Sequence, residues 1–323
     1  MADFDYLRDR VRGMSVSSMV NAARQVHERS DMSTVGVLFD MTRCGLKYSA
    51  GYTDYLNGSF EAKTAPERSS YITRGVNNNI VRAMNSRELE SCFDDKRQFF
   101  ALYKQYARRR HIDIERANAG QLRKFCEGRE RVVVRRPISG EEDVFSLSLL
   151  GVDDYDDLRE RLLRMGLSLV EESLERHENV TRLCGEHEGR IRVVTAKKHI
   201  VFACLVCSVG RHTLIAPLDI ESGTVTSSAV DENNLLRHRH PVTHEHFEGF
   251  SVPLWDKVTS LACSAAEILP SVGYCGWDIA VLPDGVELLD ASCFPRHDYY
   301  RVCDNSVLRR RIETQMKNGG NQT

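Results

Sequence analysis

The sequence lacks the features that would place the protein in a membrane or on a nucleic acid. Its 44 basic and 46 acidic residues nearly cancel, so there is no excess of positive charge of the kind that binds nucleic acid. No apolar run approaches the ~20 residues that a membrane-spanning helix needs. The first residues, MADFDYLRDR, are polar and acidic, unlike a secretory signal. These absences favour a cytoplasmic protein whose partners are neither membranes nor nucleic acids.

Internal repeats, low-complexity segments and a second CxxC motif are also missing. The ten cysteines are scattered in mostly apolar surroundings, and without a secretory signal they are predicted to be reduced, buried thiols. Cys204 and Cys207 have CxxC spacing, but an odd offset puts their side chains on opposite faces of a strand. The pair is therefore predicted to be structural rather than a metal site.

What the sequence does contain predicts an α+β fold. A chain of 323 residues with 41% hydrophobic residues can bury a sizeable core, most simply in more than one lobe. Helical periodicity marks the N-terminal part, and alternating residues over 190–219 predict a meander of antiparallel strands. The predicted regions are a helical N-terminal region (1–80), a small lobe (81–168), a large lobe (169–310) and a polar tail (311–323).

One hairpin near the C-terminus carries a pair of acids. Two apolar runs flank Pro283-Asp284-Gly285, which is typical of a tight turn. Residues whose numbers sum to about 568 then lie opposite one another, which makes Asp278 and Asp290 cross-strand neighbours. Facing carboxylates repel unless a cation separates them, and Mg²⁺ is the simplest such cation. The alternative is a hairpin with two solvated acids.

Four histidines crowd into one loop and offer a second candidate metal site. They are His238, His240, His244 and His246, with two glutamates nearby. Such a run is compatible with Zn²⁺. The alternative is an ordinary loop that has gained histidines.

Motifs that follow one another along the chain resemble those of a known family. They are Asp54-Tyr55, Glu67-Arg68, Asp95-Lys96, Val170-Glu171-Glu172, Ile191-Arg192-Val193-Val194-Thr195, His240-Pro241, Pro253-Leu254-Trp255, and Gly276-Trp277-Asp278-Ile279-Ala280 with Pro283-Asp284-Gly285. From about residue 39 to 296 the chain resembles the ATP-grasp superfamily, and most closely its sugar-transfer-associated branch. The resemblance implies two α+β lobes around a nucleotide cleft. It also implies an ATP- and Mg²⁺-dependent ligase that joins a carboxylate to an amine through an acyl phosphate.

The resemblance assigns roles to individual residues. Lys96, Arg136 and Arg192 match positions that contact the phosphates, and Arg136 and Arg192 are the candidate catalytic residues. Glu171 and Glu172 match the hinge that faces the adenosine. Asp278, Asp290 and Ser292 match the metal ligands.

Several of these positions depart from the family pattern. Arg136 stands where the family has a lysine before proline, and Asp290-Ala291-Ser292 replaces an E-x-N triplet. The lid segment, Ile138 to Asp143, carries three acids. The predicted function is a ligase acting on a sugar, peptide or natural-product intermediate. The alternatives are a catalytically impaired nucleotide-binding or scaffold protein, and a phosphotransferase to a hydroxyl.

Overall fold

The computed structural model describes residues 16–89, 92–138, 144–185, 189–210 and 212–317. The predicted lid falls almost wholly on residues 139–143, and the predicted helical N-terminal region begins on residues 1–15. Both of these segments lie outside the described residues. The chain divides into two compact units, one formed by Met1–Ala83 with Arg296–Thr323 and the other by Met84–Pro295. Within the described residues, no helix is both long and apolar enough to cross a bilayer.

Helices and strands follow one another along the chain in an α+β order. The helices are α1 (Val16–Glu28), α2 (Thr34–Tyr48), α3 (Tyr52–Asn57), α4 (Ala65–Ser70), α5 (Arg74–Met84), α6 (Lys96–Leu102), α7 (Ala119–Cys126), α8 (Tyr155–Arg164), α9 (Glu178–Cys184), α10 (Trp255–Ile268) and α11 (Asn305–Lys317). The strands are β1 (His111–Asp113), β2 (Arg131–Arg135), β3 (Val144–Ser148), β4 (Leu169–Glu172), β5 (Arg190–Ala196), β6 (His199–Val209), β7 (His212–Pro217), β8 (Ala229–Val230), β9 (Leu236–Arg237), β10 (Tyr274–Val281) and β11 (Val286–Ser292).

The first unit is helical and has its own core. Val37, Met41 and Tyr55 are among the buried residues that pack its first helices together. Helix α11 belongs to this unit and continues through Lys317, beyond residue 311 where the tail was predicted to begin. Ile312 is fully buried, and the burial of such apolar side chains stabilises the extra turns of α11.

The second unit contains two antiparallel sheets. The smaller has the strand order β1-β4-β2-β3, and the larger has the order β11-β10-β5-β6-β7-β8-β9. Every residue of β10 is buried, as are six of the seven residues of β5. The buried polar side chains of these strands are hydrogen-bonded, Arg192 to Asp278 and Thr195 to Trp277. The predicted meander over residues 190–219 is confirmed by the pairing of β5, β6 and β7.

The strand β4 lies inside the smaller sheet. It pairs with β1 and with β2, although the predicted boundary places residue 169 at the start of the large lobe. The buried Leu169 and Val170 need neighbours on both sides of the strand, and β1 and β2 provide them. The chain therefore leaves the smaller sheet only after Glu172.

The acid-bearing hairpin forms as predicted. A hydrogen bond from the Leu282 amide to the Gly285 carbonyl, 2.8 Å, closes its turn. Asp278 lies directly opposite Asp290, which confirms the predicted pairing. The register shifts by one residue between Asp278 and Ile279, so the pairing depends on an irregularity that the sequence does not reveal.

The prediction that the cysteines are reduced is wrong for one pair. Cys184, the last residue of α9, forms a disulfide with Cys207 on β6. Their Cα atoms are 5.6 Å apart, within the range that a disulfide requires. The two residues are 23 positions apart in sequence, and only the packing of α9 on the larger sheet brings them together. Cys204 remains a buried free thiol.

Candidate active site

A cleft of about 370 Å³ is lined by both sheets of the second unit. Among the described residues, the charged side chains of its lining are Arg109, Arg135, Glu171, Glu172, Arg176, Arg190, Asp278 and Asp290. Glu172 and Arg176 also line a neighbouring cavity of about 1080 Å³. A cleft of this size is large enough for a small ligand. The dense mixture of both charges favours a ligand that is itself charged.

Asp278 is held by two arginines of the neighbouring strand. Arg192 lies opposite Asp278 in the register of β5 and β10, and its Nε and Nη2 donate to the two carboxylate oxygens at 2.5 and 2.7 Å. The Nε of Arg190 lies 3.2 Å from Oδ2 of Asp278. The Asp278 and Arg192 side chains are only 4% and 3% exposed. A bidentate ion pair of this kind stabilises the ionised carboxylate and fixes its orientation.

Asp290 is held by basic groups that lie outside the larger sheet. Lys96, at the start of α6, donates to Oδ1 at 2.5 Å, and Arg135, at the end of β2, donates to Oδ2 at 3.0 Å. Burial alone would raise the pKa of Asp290, but these two cations outweigh it and lower the pKa below its ordinary value. Asp290 is therefore a carboxylate at neutral pH.

Arg135 also contacts Glu171 on β4, one of the two glutamates that match the hinge of the family. One of its terminal nitrogens lies 3.5 Å from Oε1 of Glu171, so Arg135 stands between Glu171 and Asp290. Burial would lower its pKa, but the two acids raise it above the ordinary value. The Nε of Arg135 is buried and has no hydrogen-bond partner in the described part of the chain. A buried guanidinium with a donor to spare suits an anionic ligand.

Glu171 and Glu172 occupy opposite environments although they are adjacent. Glu171 is 3% exposed and accepts a 2.7 Å hydrogen bond from Nε of Arg109. Glu172 is half-buried, accepts from the Arg110 amide at 2.7 Å, and lies 3.4 Å from Arg129. Successive side chains of a strand alternate in direction. Even so, both glutamates line the cleft.

Two residues that the motifs indicate lie away from these contacts. Arg136 is exposed, and the guanidinium that reaches Asp290 belongs to its neighbour, Arg135. Ser292 bonds to the backbone of Phe294, donating to its carbonyl at 3.0 Å and accepting from its amide at 3.2 Å. Neither Arg136 nor Ser292 is part of the cleft lining.

Arg109 is a second buried site residue, besides Arg135, that no motif indicates. Its guanidinium bonds Glu171 and the carbonyls of Leu288 and Leu289, and stacks over the ring of Phe100 at 4.5 Å. In the sequence it is the middle member of the run Arg108 to Arg110, which is typical of a solvated helix end. The signal that was available is the set of spaced apolar residues before it, Phe99, Phe100, Tyr103 and Ala107, all of which are buried.

Mg²⁺ is implied by the resemblance, and two of the three predicted donors suit it. Mg²⁺ in nucleotide sites is commonly held by one or two carboxylates together with phosphate oxygens, and Asp278 and Asp290 line the same cleft. Ser292 does not fit, because its hydroxyl is occupied by the Phe294 backbone. Nowhere in the described residues, the cleft included, do three His, Cys, Asp or Glu side chains come together as metal ligands.

The histidine loop is organised by hydrogen bonds to its own backbone and to serine. His240 is buried, and its Nδ1 accepts from the amides of Val242 and Thr243 at 3.4 and 3.2 Å. Nδ1 of His238 lies 2.6 Å from the hydroxyl of Ser228. Burial lowers the pKa of His240, and His244 lowers it further. These contacts occupy the Nδ1 atom of both rings, whereas Nε2 of His240 is buried without a hydrogen-bond partner among the described residues.

The two-sheet cleft, with acids on a terminal hairpin and basic groups from both sheets, is that of an ATP-grasp fold. A family model described as sugar-transfer associated ATP-grasp matches residues 152–315, slightly more than half of the chain. The chain belongs to this family. The match begins after Lys96 and Arg135, so those two residues lie outside it, although the sequence motifs place the resemblance from about residue 39.

Solved structures similar to this chain include two ligases and a macrocyclase, all of low sequence identity. The ATP-grasp ligase PsnB, in complex with precursor peptide PsnA2 and AMPPNP, is 14% identical over 72% of this chain, with a TM-score of 0.44, and this chain covers 62% of it. Macrocyclase MdnC, bound with precursor peptide MdnA from Microcystis aeruginosa MRC, is 12% identical over 80% of this chain and 74% of its own, with a TM-score of 0.44. D-alanine–D-alanine ligase from Bacillus anthracis is 12% identical over 85% and 78%, with a TM-score of 0.39. No curated protein matches the sequence.

Proposed function

We propose that this protein is an ATP-dependent carboxylate–amine ligase that binds Mg-ATP in the cleft of the second unit. ATP would phosphorylate the carboxylate of a sugar, peptide or natural-product intermediate, and an amine would then attack the acyl phosphate to give an amide. Membership of the ATP-grasp family supports the binding of ATP. The acid and the amine are the small-molecule or peptide partners that this reaction requires.

The observation that carries the proposal is the convergence of four basic side chains, three of them buried, on the cleft acids. Lys96 and Arg135 reach Asp290 from outside the larger sheet, whereas Arg190 and Arg192 reach Asp278 from within it. Attack of a carboxylate on the γ-phosphate brings several negative charges together. Basic groups that are already fixed around the site stabilise that charge without having to reorganise.

Each group of the site has a role in this proposal. Asp278 and Asp290 would hold Mg²⁺, which neutralises phosphate charge when bound. The cations that these acids now engage are then available to the phosphates. The candidates are Arg192, which lies 2.5 Å from Asp278, and Lys96 and Arg135, which lie 2.5 and 3.0 Å from Asp290. The exposed Arg136 stays a predicted phosphate ligand that the cleft contacts do not support. Glu171 and Glu172 remain the candidates for the adenosine.

The first test is ligand-induced stabilisation. Nucleotide at 100 times its dissociation constant adds about 2.7 kcal/mol to the free energy of unfolding, so millimolar Mg-ATP is expected to raise the melting temperature. Asp278→Asn is expected to reduce the Mg²⁺-dependent part of this shift. No shift of the unsubstituted protein at millimolar Mg-ATP contradicts the proposal.

The second test is the requirement for two co-substrates. ADP and phosphate are measured with pools of carboxylic acids and of amines, added separately and together. A ligase needs both pools for full turnover. ADP release with a hydroxyl compound alone would instead indicate phosphotransfer to a hydroxyl.

A second candidate function has a specific observation in its favour. Both cleft acids are neutralised by basic side chains, and Ser292 is bonded to backbone, so the nucleotide could be bound without turnover. A nucleotide-binding or scaffold protein would show the stabilisation by ATP. It would release no ADP with any pair of acid and amine.

A further inference from the structure

Where the two strands of the hairpin pair, seven residues of β11 (Val286–Ser292) face only six residues of β10 (276–281). Ile279 pairs with Leu288, but Asp278 pairs with Asp290, so Leu289 has no opposite residue on β10. Such a bulge takes the extra residue out of the hydrogen-bond ladder and turns the residues that follow it. The bulge therefore separates the turn end of the hairpin from the end that carries the acids.

The bulge decides which face of the sheet Asp290 occupies. With a continuous register, Leu289 would lie opposite Asp278, and Asp290 would lie opposite Trp277. Trp277 is 1% exposed and belongs to the core, and a one-residue slip moves each side chain to the other face. Without the bulge, Asp290 would therefore leave Lys96 and Arg135 and turn into the core.

Arg109 binds the backbone at this bulge. Its Nη1 donates to the Leu288 carbonyl and its Nη2 to the Leu289 carbonyl, both at 2.8 Å. Its Nε donates to Glu171 at 2.7 Å. The guanidinium thus joins the carbonyl of the extra residue to an acid of the smaller sheet.

The position of Arg109 is itself fixed by its surroundings. Its amide donates to Glu287 at 2.7 Å, and the Leu288 amide donates to the Tyr106 carbonyl at 2.9 Å. Its guanidinium stacks over Phe100, and the side chain is 3% exposed. The segment from Tyr106 to Arg109 therefore runs along β11, which is the edge strand of the larger sheet.

We propose that Arg109 is a positioning residue that holds the bulge at Leu289 and so keeps Asp290 on the cleft face. Two charge-assisted hydrogen bonds satisfy backbone carbonyls that a buried, irregular strand would otherwise leave without partners. Only the consequence for Mg-nucleotide binding rests on the proposed function. The register of the hairpin can be measured without any ligand.

Disulfide trapping measures the register directly. In a Cys275→Ala/Cys293→Ala background, Gly276→Cys is combined with Ser292→Cys, which lies opposite it in the bulged register. In a second variant, Gly276→Cys is combined with Ala291→Cys, because residue 291 would lie opposite residue 276 in a continuous register. Directly opposite residues are close enough to form a disulfide. Mild oxidation and peptide mass spectrometry give the yield of each cross-link.

With Arg109 in place, the 276–292 cross-link is expected to dominate. Arg109→Met removes both bonds to the bulge, so the ratio of the 276–292 to the 276–291 yield is expected to fall roughly tenfold or more. Arg109→Lys keeps a donor and is expected to give an intermediate ratio. Arg108→Met, at the exposed neighbouring position, is the matched control and is expected to leave the ratio unchanged.

Deletion of Leu289 separates a positioning role from a general loss of stability. Without the extra residue, Asp290 lies opposite Asp278 in a continuous register, and Arg109 has no bulge to hold. Adding this deletion to Arg109→Met is therefore expected to restore the 276–292 cross-link. An unchanged ratio in Arg109→Met overturns the proposal, as does failure of the deletion to restore it. If the cross-link ratios change as expected, but Mg-ATP binds neither to the protein with Arg109 nor to the Arg109→Met variant, only the proposed function is wrong.

Discussion

The two acids of the cleft are neutralised in different ways. Asp278 is paired within one sheet, because both of its arginines are on the adjacent strand β5. Asp290 is paired across elements, because Lys96 comes from α6 and Arg135 from the smaller sheet. Whether an acid and a base on adjacent strands come into contact is determined by the strand register alone. A pair between two sheets also depends on how the sheets pack, so the Asp290 side is the part of the site that a change in cleft opening would alter.

The largest expected effect comes from breaking the pair within the sheet. Arg192→Met leaves Asp278, which is 3% exposed, with only Arg190, whose side chain is partly exposed. Removing one partner of a buried ion pair typically costs about 3–5 kcal/mol. We expect a loss of that order in the free energy of unfolding, measured by urea denaturation.

The matched control removes both charges. Asp278→Asn/Arg192→Met leaves no buried unpaired carboxylate, so it is expected to be more stable than Arg192→Met alone. Equal losses in the single and double variants would show that packing, rather than the unpaired acid, dominates at this position.

The difference between the acids also explains what could be predicted from the sequence. The hairpin, its turn and the pairing of Asp278 with Asp290 follow from local patterns, since alternation and turn residues act over a few positions. The family motif likewise contains Arg192, the partner of Asp278. These features all lie within one sheet, where periodicity and register carry the information.

The partners of Asp290 could not be assigned in the same way. Arg135 and Arg136 are adjacent basic residues, and only the register of β2 decides which of them faces the cleft. Val134 is buried on one face and Arg135 on the other, and it is Arg135, the neighbour of the residue that the motif indicates, that contacts Asp290. Arg109 binds carbonyls of the bulge, and no side-chain pattern marks a bulge at Leu289.

Substitution of Arg135 is expected to weaken nucleotide binding, and this effect is the second largest that we expect. Arg135→Met removes a buried guanidinium with a spare donor, and hydrogen bonds to charged groups contribute about 1.5–3 kcal/mol. The dissociation constant of a non-hydrolysable ATP analogue is therefore expected to rise about tenfold to hundredfold. Titration calorimetry with Mg²⁺ present measures it.

Arg136→Met is the matched comparison at the adjacent position. Because Arg136 is exposed and does not line the cleft, we expect its exchange to change the dissociation constant by less than about threefold, as is usual for a solvent-exposed charge. A larger loss from Arg136→Met than from Arg135→Met would show that the residue indicated by the family motif is the phosphate ligand. Arg135→Lys, which keeps the charge, is expected to lie between the two.

The smallest expected effect is at Ser292, the third predicted metal ligand. Its hydroxyl makes both of its hydrogen bonds to the backbone of Phe294, so Ser292→Ala is expected to cost about 0.5–1.5 kcal/mol of stability. The Mg²⁺ concentration that half-saturates nucleotide binding is expected to change by less than about twofold, since one weak neutral ligand adds little beside two carboxylates and phosphate oxygens. Asp290→Asn, measured in parallel, is expected to raise that concentration far more. A comparable rise for both variants would mean that Ser292 leaves Phe294 and binds the metal, and the acid pair would then not suffice to hold it.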